Sequence, residues 1–173
     1  MPLVDAHVFA DESKARHYTM AAVALSQTRL DSARRELRAL RAGGQRALHF
    51  KNESPRRRRT ILASIAEQGW LAQLIQSKAT REHDARPECL EFVVDLAQRI
   101  GASKLTLELD ESVVQRDRRE LFQITQARSL TPGFTYDLAP RSAEPGLWVA
   151  DAIAWSFVRG GEWRQRIEGM LIS

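Results

Sequence analysis

The chain has 173 residues, a formal net charge of +4 and an apolar content of 43%. This length suits one folded domain over residues 1–173, and this apolar content excludes a disordered chain. No apolar run reaches the roughly 18 residues of a membrane span, and no signal peptide is expected. Cys89 is the single cysteine, which excludes an internal disulfide and a cysteine zinc site. We expect a cytoplasmic location.

The basic residues are mostly arginine, which accounts for 22 of the 26. Guanidinium groups suit bidentate contacts with phosphate, whereas a GC-rich genome would favour arginine codons without any functional meaning. Both explanations stay open. The positive charge permits nucleic-acid binding without demonstrating it.

Strands and helices are predicted to alternate along the chain. Residues 4–12 and 17–25 predict a strand hairpin turning at 13–16, and further strands are predicted at 47–51, 70–79, 104–110 and 134–138. Helices are predicted at 31–41, from Pro55 to Gly69, and at 85–100, 114–128 and 146–159. Asp31 and Ser54 are the predicted caps of the first two helices. This order predicts an α/β domain with a mixed sheet.

The predicted helix 85–100 carries an apolar face at helical spacing. Its members are Cys89, Phe92, Val93, Leu96 and Ile100. No glycine-rich phosphate loop follows any predicted strand, so the sequence gives no support for a dinucleotide-binding or P-loop fold.

Acids at distant positions predict a metal site. Asp151 lies in an apolar run, where a carboxylate is costly to bury without a cation. Asp11 and Glu12 end the first strand on opposite faces, and Asp11 shares the face of His7 and Phe9. Glu108 and Asp110 point the same way from a later strand.

Oxygen-only ligands suit Mg²⁺ or Mn²⁺, and such ions can activate water for phosphodiester cleavage. The metal ligands are predicted to be Asp11, Glu108, Asp110 and Asp151, with Glu12 as a helper. The alternative is structural: Asp151 would pair with Arg159 or Lys51, and the strand acids would be solvated.

Two basic segments are candidate phosphate contacts. His49 and Lys51 share one face of the predicted strand 47–51, where His49 could orient a water and Lys51 could meet a phosphate. Arginines 56–59 occupy the first turn of a predicted helix, where the backbone dipole disfavours cations. This placement favours a bound polyanion held by Arg56, Arg57, Arg58 and Arg59, against the alternative of a solvated surface.

The tryptophans could stack bases. Trp148 and Trp155 are seven residues apart on the last predicted helix, which favours core packing or a contact with another subunit or protein.

Three stretches in this order resemble a family called domain of unknown function number 3800. They are Phe9-Ala10-Asp11-Glu12-Ser13, then Leu48-His49-Phe50-Lys51, and last Gly146-Leu147-Trp148-Val149-Ala150-Asp151, which continues into Ala154-Trp155-Ser156-Phe157-Val158-Arg159. Family members carry Gly where this chain has Lys14, Glu at Ala47 and commonly Gln at Trp148.

The family is similar in fold to RNase H-like nucleases. The resemblance therefore implies an RNase H-like mixed β-sheet flanked by helices, with acids on the first strand, on a later strand and on the last helix. Asp11, either Glu108 or Asp110, and Asp151 match those places. The hypothesis is a Mg²⁺- or Mn²⁺-dependent nuclease acting on RNA or DNA. The alternatives are a non-catalytic nucleic-acid-binding module, or an interaction module that forms a homo-oligomer or binds a protein through the C-terminal helix.

Overall fold

The computed structural model describes residues 3–13, 18–130 and 132–172. Within them the strands are β1 Ala6–Ser13, β2 Thr19–Ser26, β3 Leu71–Gln76, β4 Lys104–Glu108 and β5 Thr135–Ala139. The α-helices are α1 Gln27–Ala39, α2 Pro55–Gln68, α3 Glu82–Arg99, α4 Val114–Ala127, α5 Pro145–Arg159 and α6 Gly161–Ile167.

The strands form one mixed sheet in the order β3-β2-β1-β4-β5. β1 pairs antiparallel with β2 and parallel with β4, while β2–β3 is antiparallel and β4–β5 is parallel. The predicted hairpin and mixed sheet are confirmed. The residues between β1 and β2, numbers 14–17, lie outside the described part of the chain, and they include Lys14, where the resembling family has Gly.

Helices cover both faces of the sheet. One apolar cluster joins Phe9 of β1 and Val23 of β2 to residues of α1, α2 and α5. The other joins Val8 and Leu105 to residues of α3 and α4. Since successive strand residues point to opposite faces, Asp11 faces the α5 side and Glu12 faces the α3 side. The alternation predicted for these two acids is confirmed.

Helix α5 lies unusually close to β1. A Cβ atom added at Gly146 would lie 2.5 Å from Cγ of Phe9, so only glycine allows this approach. Because α5 crosses β1 at this point, Asp151, one turn and a half further along the helix, comes close to the end of the strand. Helix α5 was a candidate surface for contact with another subunit or protein, but its apolar residues are mostly buried in this chain's own core. Trp155 and Phe157 are half-buried.

The segment predicted as a strand at 47–51 is not one. It holds a single 3₁₀ turn, Phe50–Asn52, and His49 precedes that turn in an extended conformation. The Phe50 ring is buried against Trp155 and Trp163. Burial of this ring and a hydrogen bond from the N–H of Phe50 to Asp151 hold the segment in place without pairing to the sheet.

Two helix details also differ from prediction. Helix α1 begins at Gln27 because β2 runs directly into it, so Asp31 lies inside the helix and does not cap it. Ser26 occupies the N-cap position, but its hydroxyl accepts a hydrogen bond from the N–H of Val4. Phe92 of α3 is 48% exposed, because the buried arc of that helix is rotated towards Leu90 and Val94.

The predicted boundaries of α2 are confirmed. The hydroxyl of Ser54 accepts a hydrogen bond from the N–H of Arg57, Pro55 follows the cap, and Gly69 ends the helix with a φ of 87°. Helix α6 was not predicted. In the described part of the chain, no helix combines the length and apolar character needed to cross a membrane.

Candidate active site

Three acids from distant segments converge at one end of the sheet. Asp11 lies near the end of β1, and Glu108 is the last residue of the parallel neighbour β4. The register pairs Ala10 with Leu107, so the next residues, Asp11 and Glu108, lie side by side. Asp151 approaches the same face from α5. The topology of the chain therefore brings together the three remote acids that the sequence predicted to gather.

The three carboxylates surround the guanidinium of Arg141. Nη2 of Arg141 donates to Oδ2 of Asp11 at 3.0 Å and to Oε2 of Glu108 at 3.1 Å, and Nε donates to Oε1 of Glu108 at 3.2 Å. Nη1 lies 3.2 Å from Oδ2 of Asp151. We call these four residues the Arg141 cluster. The cation beside Asp151 is therefore Arg141, and not Arg159 or Lys51.

Sequence reasoning missed Arg141. It lies on a single 3₁₀ turn, Arg141–Ala143, between β5 and α5. The indole N–H of Trp148 donates to the Arg141 carbonyl at 2.7 Å, which fixes the backbone of that turn. The position of Arg141 two residues after β5 becomes informative only once the strand order is known, since parallel strands β1, β4 and β5 end at the same edge of the sheet.

Burial differs among the acids. The Asp11 side chain is 3% exposed, whereas Glu108 keeps 28% and Asp151 keeps 23%. Two backbone N–H groups support the cluster: that of Glu12 donates to Oδ1 of Asp11 at 2.9 Å, and that of Phe50 donates to Oδ2 of Asp151 at 3.0 Å. The misassigned segment 47–51 thus contributes its backbone to the site.

The electrostatics follow from this burial. Burial raises the pKa of Asp11 well above its ordinary value; Glu12, Glu108 and Asp151 act in the same direction, and Arg141 opposes them. Burial by itself would lower the pKa of Arg141, but Asp151, Asp11 and Glu108 raise it overall. Arg141 is therefore a permanent cation that offsets the repulsion among three carboxyl groups.

An open cleft of about 480 Å³ adjoins the Arg141 cluster. Glu108, Arg141 and Ser142 line this cleft together with residues of the loop that precedes α2. The loop residues that line it are Gln45, Arg46, Ala47, His49 and Asn52. His49 is exposed in this cleft, and Lys51 is exposed on the adjoining 3₁₀ turn. Ala47 also lines the cleft, so the acid that the resembling family carries there would have faced the site.

The other two predicted acids belong to different surroundings. Glu12 lies on the opposite face of the sheet, with Oε2 at 3.3 Å from Nη1 of Arg86. Asp110 follows the end of β4 and accepts hydrogen bonds from the N–H and hydroxyl of Ser112 at 3.0 and 2.7 Å. Both line a second cleft of about 260 Å³, together with Arg86 and Glu108.

The donor chemistry of the cluster fits a divalent cation, because three carboxylates already gather round one positive charge. In the described part of the chain, however, no three acid, histidine or cysteine side chains are arranged to hold a metal ion. Arg141 lies between the acids. Asp11, Glu108 and Asp151 thus have the right chemistry for Mg²⁺ or Mn²⁺, and their centre is filled by a guanidinium.

The arginine run at 56–59 has divided roles. Arg57 pairs with the buried Glu53 at 2.6 Å, and Arg59 pairs with Glu162 at 2.9 Å. Arg58 donates to the carbonyls of Phe50 and Lys51. Arg56 is exposed. Much of the run is therefore engaged within the chain, which limits the number of guanidinium groups that a polyanion can reach directly.

The tryptophans are mostly unavailable for base stacking. Trp70 and Trp148 are each 2% exposed. Trp155 is half-buried, and the guanidinium of Arg58 lies 4.2 Å from the centre of its ring. Core packing, the use favoured for Trp148, is confirmed by its burial.

The fold is that of RNase H-like proteins: a mixed five-stranded sheet flanked by helices. A chain in the structure of the PCNA:RNase HII complex from Archaeoglobus fulgidus matches with a TM-score of 0.58 at 18% sequence identity, over 86% of this chain and 69% of that chain. No family model matches the chain, and no curated protein matches it by sequence. The resemblance to the family of unknown function therefore still rests on its three motifs.

Proposed function

We propose that this protein is a Mg²⁺- or Mn²⁺-dependent nuclease that hydrolyses phosphodiester bonds in RNA or DNA. One observation carries the proposal: in an RNase H-like fold, acids from β1, β4 and α5 meet around a single cation beside an open cleft. The structural neighbour named above is an RNase HII complex, which supports this class of reaction. A cytoplasmic location is part of the proposal, since the buried thiol of Cys89 needs no oxidising compartment.

Asp11, Glu108 and Asp151 would hold the ion, which when bound would polarise a phosphate oxygen and lower the pKa of a water. His49, which is exposed and lines the same cleft as Glu108, would orient the water or accept its proton. Lys51, exposed beside it, would contact a phosphate of the substrate.

Residues further from the centre would have supporting roles. Glu12 and Asp110 lie by the second cleft, which shares Glu108 with the first, and would act through that shared residue. Arg56 is exposed at the start of α2 and would contact the nucleic-acid backbone. Arg57, Arg58 and Arg59 would join it only by giving up contacts that they make within the chain.

The test uses purified protein with single- and double-stranded RNA and DNA, in Mn²⁺, in Mg²⁺ and in EDTA. Cleavage should need the metal and should be lost in Asp11→Asn and in Asp151→Asn. Asp31→Asn is the matched control, because the Asp31 side chain is 86% exposed on α1. Cleavage that persists in both cluster variants would reject the assignment.

A non-catalytic nucleic-acid-binding role is the second candidate, and Arg141 favours it, because a cluster whose charge is partly offset by its own arginine repels phosphate less than three unpaired carboxylates would. This role predicts salt-sensitive binding that ignores metal and tolerates Asp151→Asn. Filter binding at several salt concentrations, with Mn²⁺ or EDTA, separates the two roles.

A further inference from the structure

The acids of the Arg141 cluster already have a counter-ion, and it belongs to the chain. Nη2 of Arg141 donates hydrogen bonds to Asp11 and Glu108, and Nη1 pairs with Asp151. Each of the three carboxylates therefore has an oxygen in contact with the same guanidinium. A divalent ion shared by these acids would need the space that the guanidinium fills. Two cations at such short range repel strongly in a partly buried site.

We infer that Arg141 is an exchangeable internal counter-ion: its guanidinium leaves the three carboxylates when a divalent ion enters and returns when the ion departs. The inference rests on the proposed function, because it assigns the same acids to the ion. It goes further by naming the residue that partly offsets the negative charge of the ion-free cluster and controls how tightly the ion binds.

The surroundings of Arg141 permit this exchange. Its carbonyl is fixed by Trp148, so the backbone of the turn can stay in place while the side chain turns. The cleft of about 480 Å³ is partly lined by Arg141 itself and offers open space for the guanidinium. Nη1 is buried, and no described residue gives it hydrogen-bond geometry. Nη1 is thus held near Asp151 by charge alone, whereas Nε and Nη2 make hydrogen bonds to Glu108 and Asp11.

Exchange has a measurable consequence for metal affinity. If the conformation with Arg141 withdrawn is the minor one, the apparent affinity for the ion is reduced by the fraction of that conformation. Minor conformations are commonly populated at about 0.1–10%. Removing the guanidinium should therefore tighten Mn²⁺ binding about 10-fold or more, in the absence of any nucleic acid.

The experiment is calorimetric titration of nucleic-acid-free protein with Mn²⁺, for the wild type, Arg141→Gln and Arg34→Gln. Arg34 is the matched control: it is a half-buried arginine bound bidentately to Glu144, at 2.8 and 3.1 Å. Arg141→Gln should bind Mn²⁺ about 10-fold more tightly or better, and Arg34→Gln should bind like the wild type. The double variant Asp11→Asn/Arg141→Gln should lose the gain.

Thermal unfolding gives a second readout. Added Mn²⁺ should raise the Tm of Arg141→Gln more than that of the wild type. If Arg141→Gln does not fold, Arg141→Lys keeps the charge without the fork and should show a smaller gain in the same direction. Equal Mn²⁺ affinity in the wild type and the Arg141 variants, or no binding by any of them, would overturn the inference.

These results are separable from those for the nuclease. A gain in Mn²⁺ affinity in Arg141→Gln, without cleavage by any variant, would support exchange and reject the nuclease. Metal-dependent cleavage by the wild type, with no gain in affinity in the variant, would reject exchange and leave the nuclease standing.

Discussion

Two arginines lie on opposite faces of the same sheet, and each forms an ion pair with an acid of β1. Arg141 pairs with Asp11, and Arg86 pairs with the adjacent residue, Glu12. Arg86 also binds Asp117 bidentately at 2.7 and 2.8 Å and donates to the hydroxyl of Tyr18 at 2.9 Å. We call Arg86, Glu12, Asp117 and Tyr18 the Arg86 cluster.

The two clusters share their chemistry and differ in access. The side chains of Arg86 and Asp117 are 5% and 1% exposed, and the hydrogen bonds of Arg86 close the network. In the Arg141 cluster, Glu108 and Asp151 keep about a quarter of their surface, and the larger cleft opens beside them. Grouped charges therefore do not identify a functional site. The proposed active site is the cluster whose acids keep exposed surface and whose cation has an Nη1 without a hydrogen bond among the described residues.

The largest expected effect is on the Arg86 cluster. Arg86→Gln leaves Asp117 buried without its cation, which should cost about 3–5 kcal/mol of stability. Arg141→Gln should cost clearly less, because Glu108 and Asp151 can be hydrated from the cleft and Asp11, with its raised pKa, protonates readily. Urea unfolding of both variants checks this. Equal losses would remove the distinction between the clusters.

A pH effect should follow from His7, on the Arg141 side of the sheet. Burial, aided by Lys104 and Arg34, lowers the pKa of His7 to about 4, against the opposing effect of Asp137. His7 therefore takes up a proton near pH 6.5 in the unfolded chain, but only near pH 4 in the folded chain. The buried neutral His7 therefore makes its full contribution to the free energy of unfolding above pH 6.5. As the pH falls towards 4, this free energy decreases by about 3 kcal/mol.

Unfolding of the wild type and of His7→Gln at neutral and mildly acidic pH isolates this contribution. The difference in stability between the two proteins should shrink as the pH falls, because only the wild type carries the buried imidazole. The titration of Asp11 is present in both proteins and cancels. A constant difference across this range would show that His7 accepts a proton in the folded state.

A smaller effect is expected from Gly146→Ala, which should destabilise the protein by about 1–3 kcal/mol through overpacking. The added Cβ would meet the Phe9 ring, which is stacked on His7 at 4.0 Å and packed edge-on against Trp70 at 5.9 Å. Because α5 carries Asp151, the proposed nuclease activity should fall as well. Gly43→Ala is the control, since its Cβ would meet nothing within 4 Å. If both variants match the wild type, α5 is not held where the structure shows it.

The smallest effect should come from a solvent-exposed ion pair. Arg59 and Glu162 keep 45% and 41% of their side chains exposed, and exposed ion pairs contribute little. Arg59→Ala should leave the Tm of the protein unchanged at moderate salt. A clear loss would mean that the arginine–aromatic contact of Arg59 with Trp163 stabilises α6.

Local patterns explain why much of the fold was predictable. The Ser54 cap and Gly69 fixed the ends of α2, since capping depends on neighbours in the chain. Strand alternation separated Asp11 from Glu12 for the same reason. The prediction of a strand at 47–51 was wrong because the alternating residues of this segment resemble a strand. The residues that it contacts, Asp151, Trp155 and Trp163, are distant in sequence.

The amino-acid sequence by itself determined the alternating elements, the mixed sheet and the three acids set in apolar surroundings, because each depends on periodicity or on the cost of burying charge. Only the tertiary structure decided which cation those acids meet. Arg141 follows a short strand in an unremarkable segment, and its role comes from the shared edge of β1, β4 and β5. Long-range strand order has no local signal, so the residue at the centre of the site could be found only in the folded chain.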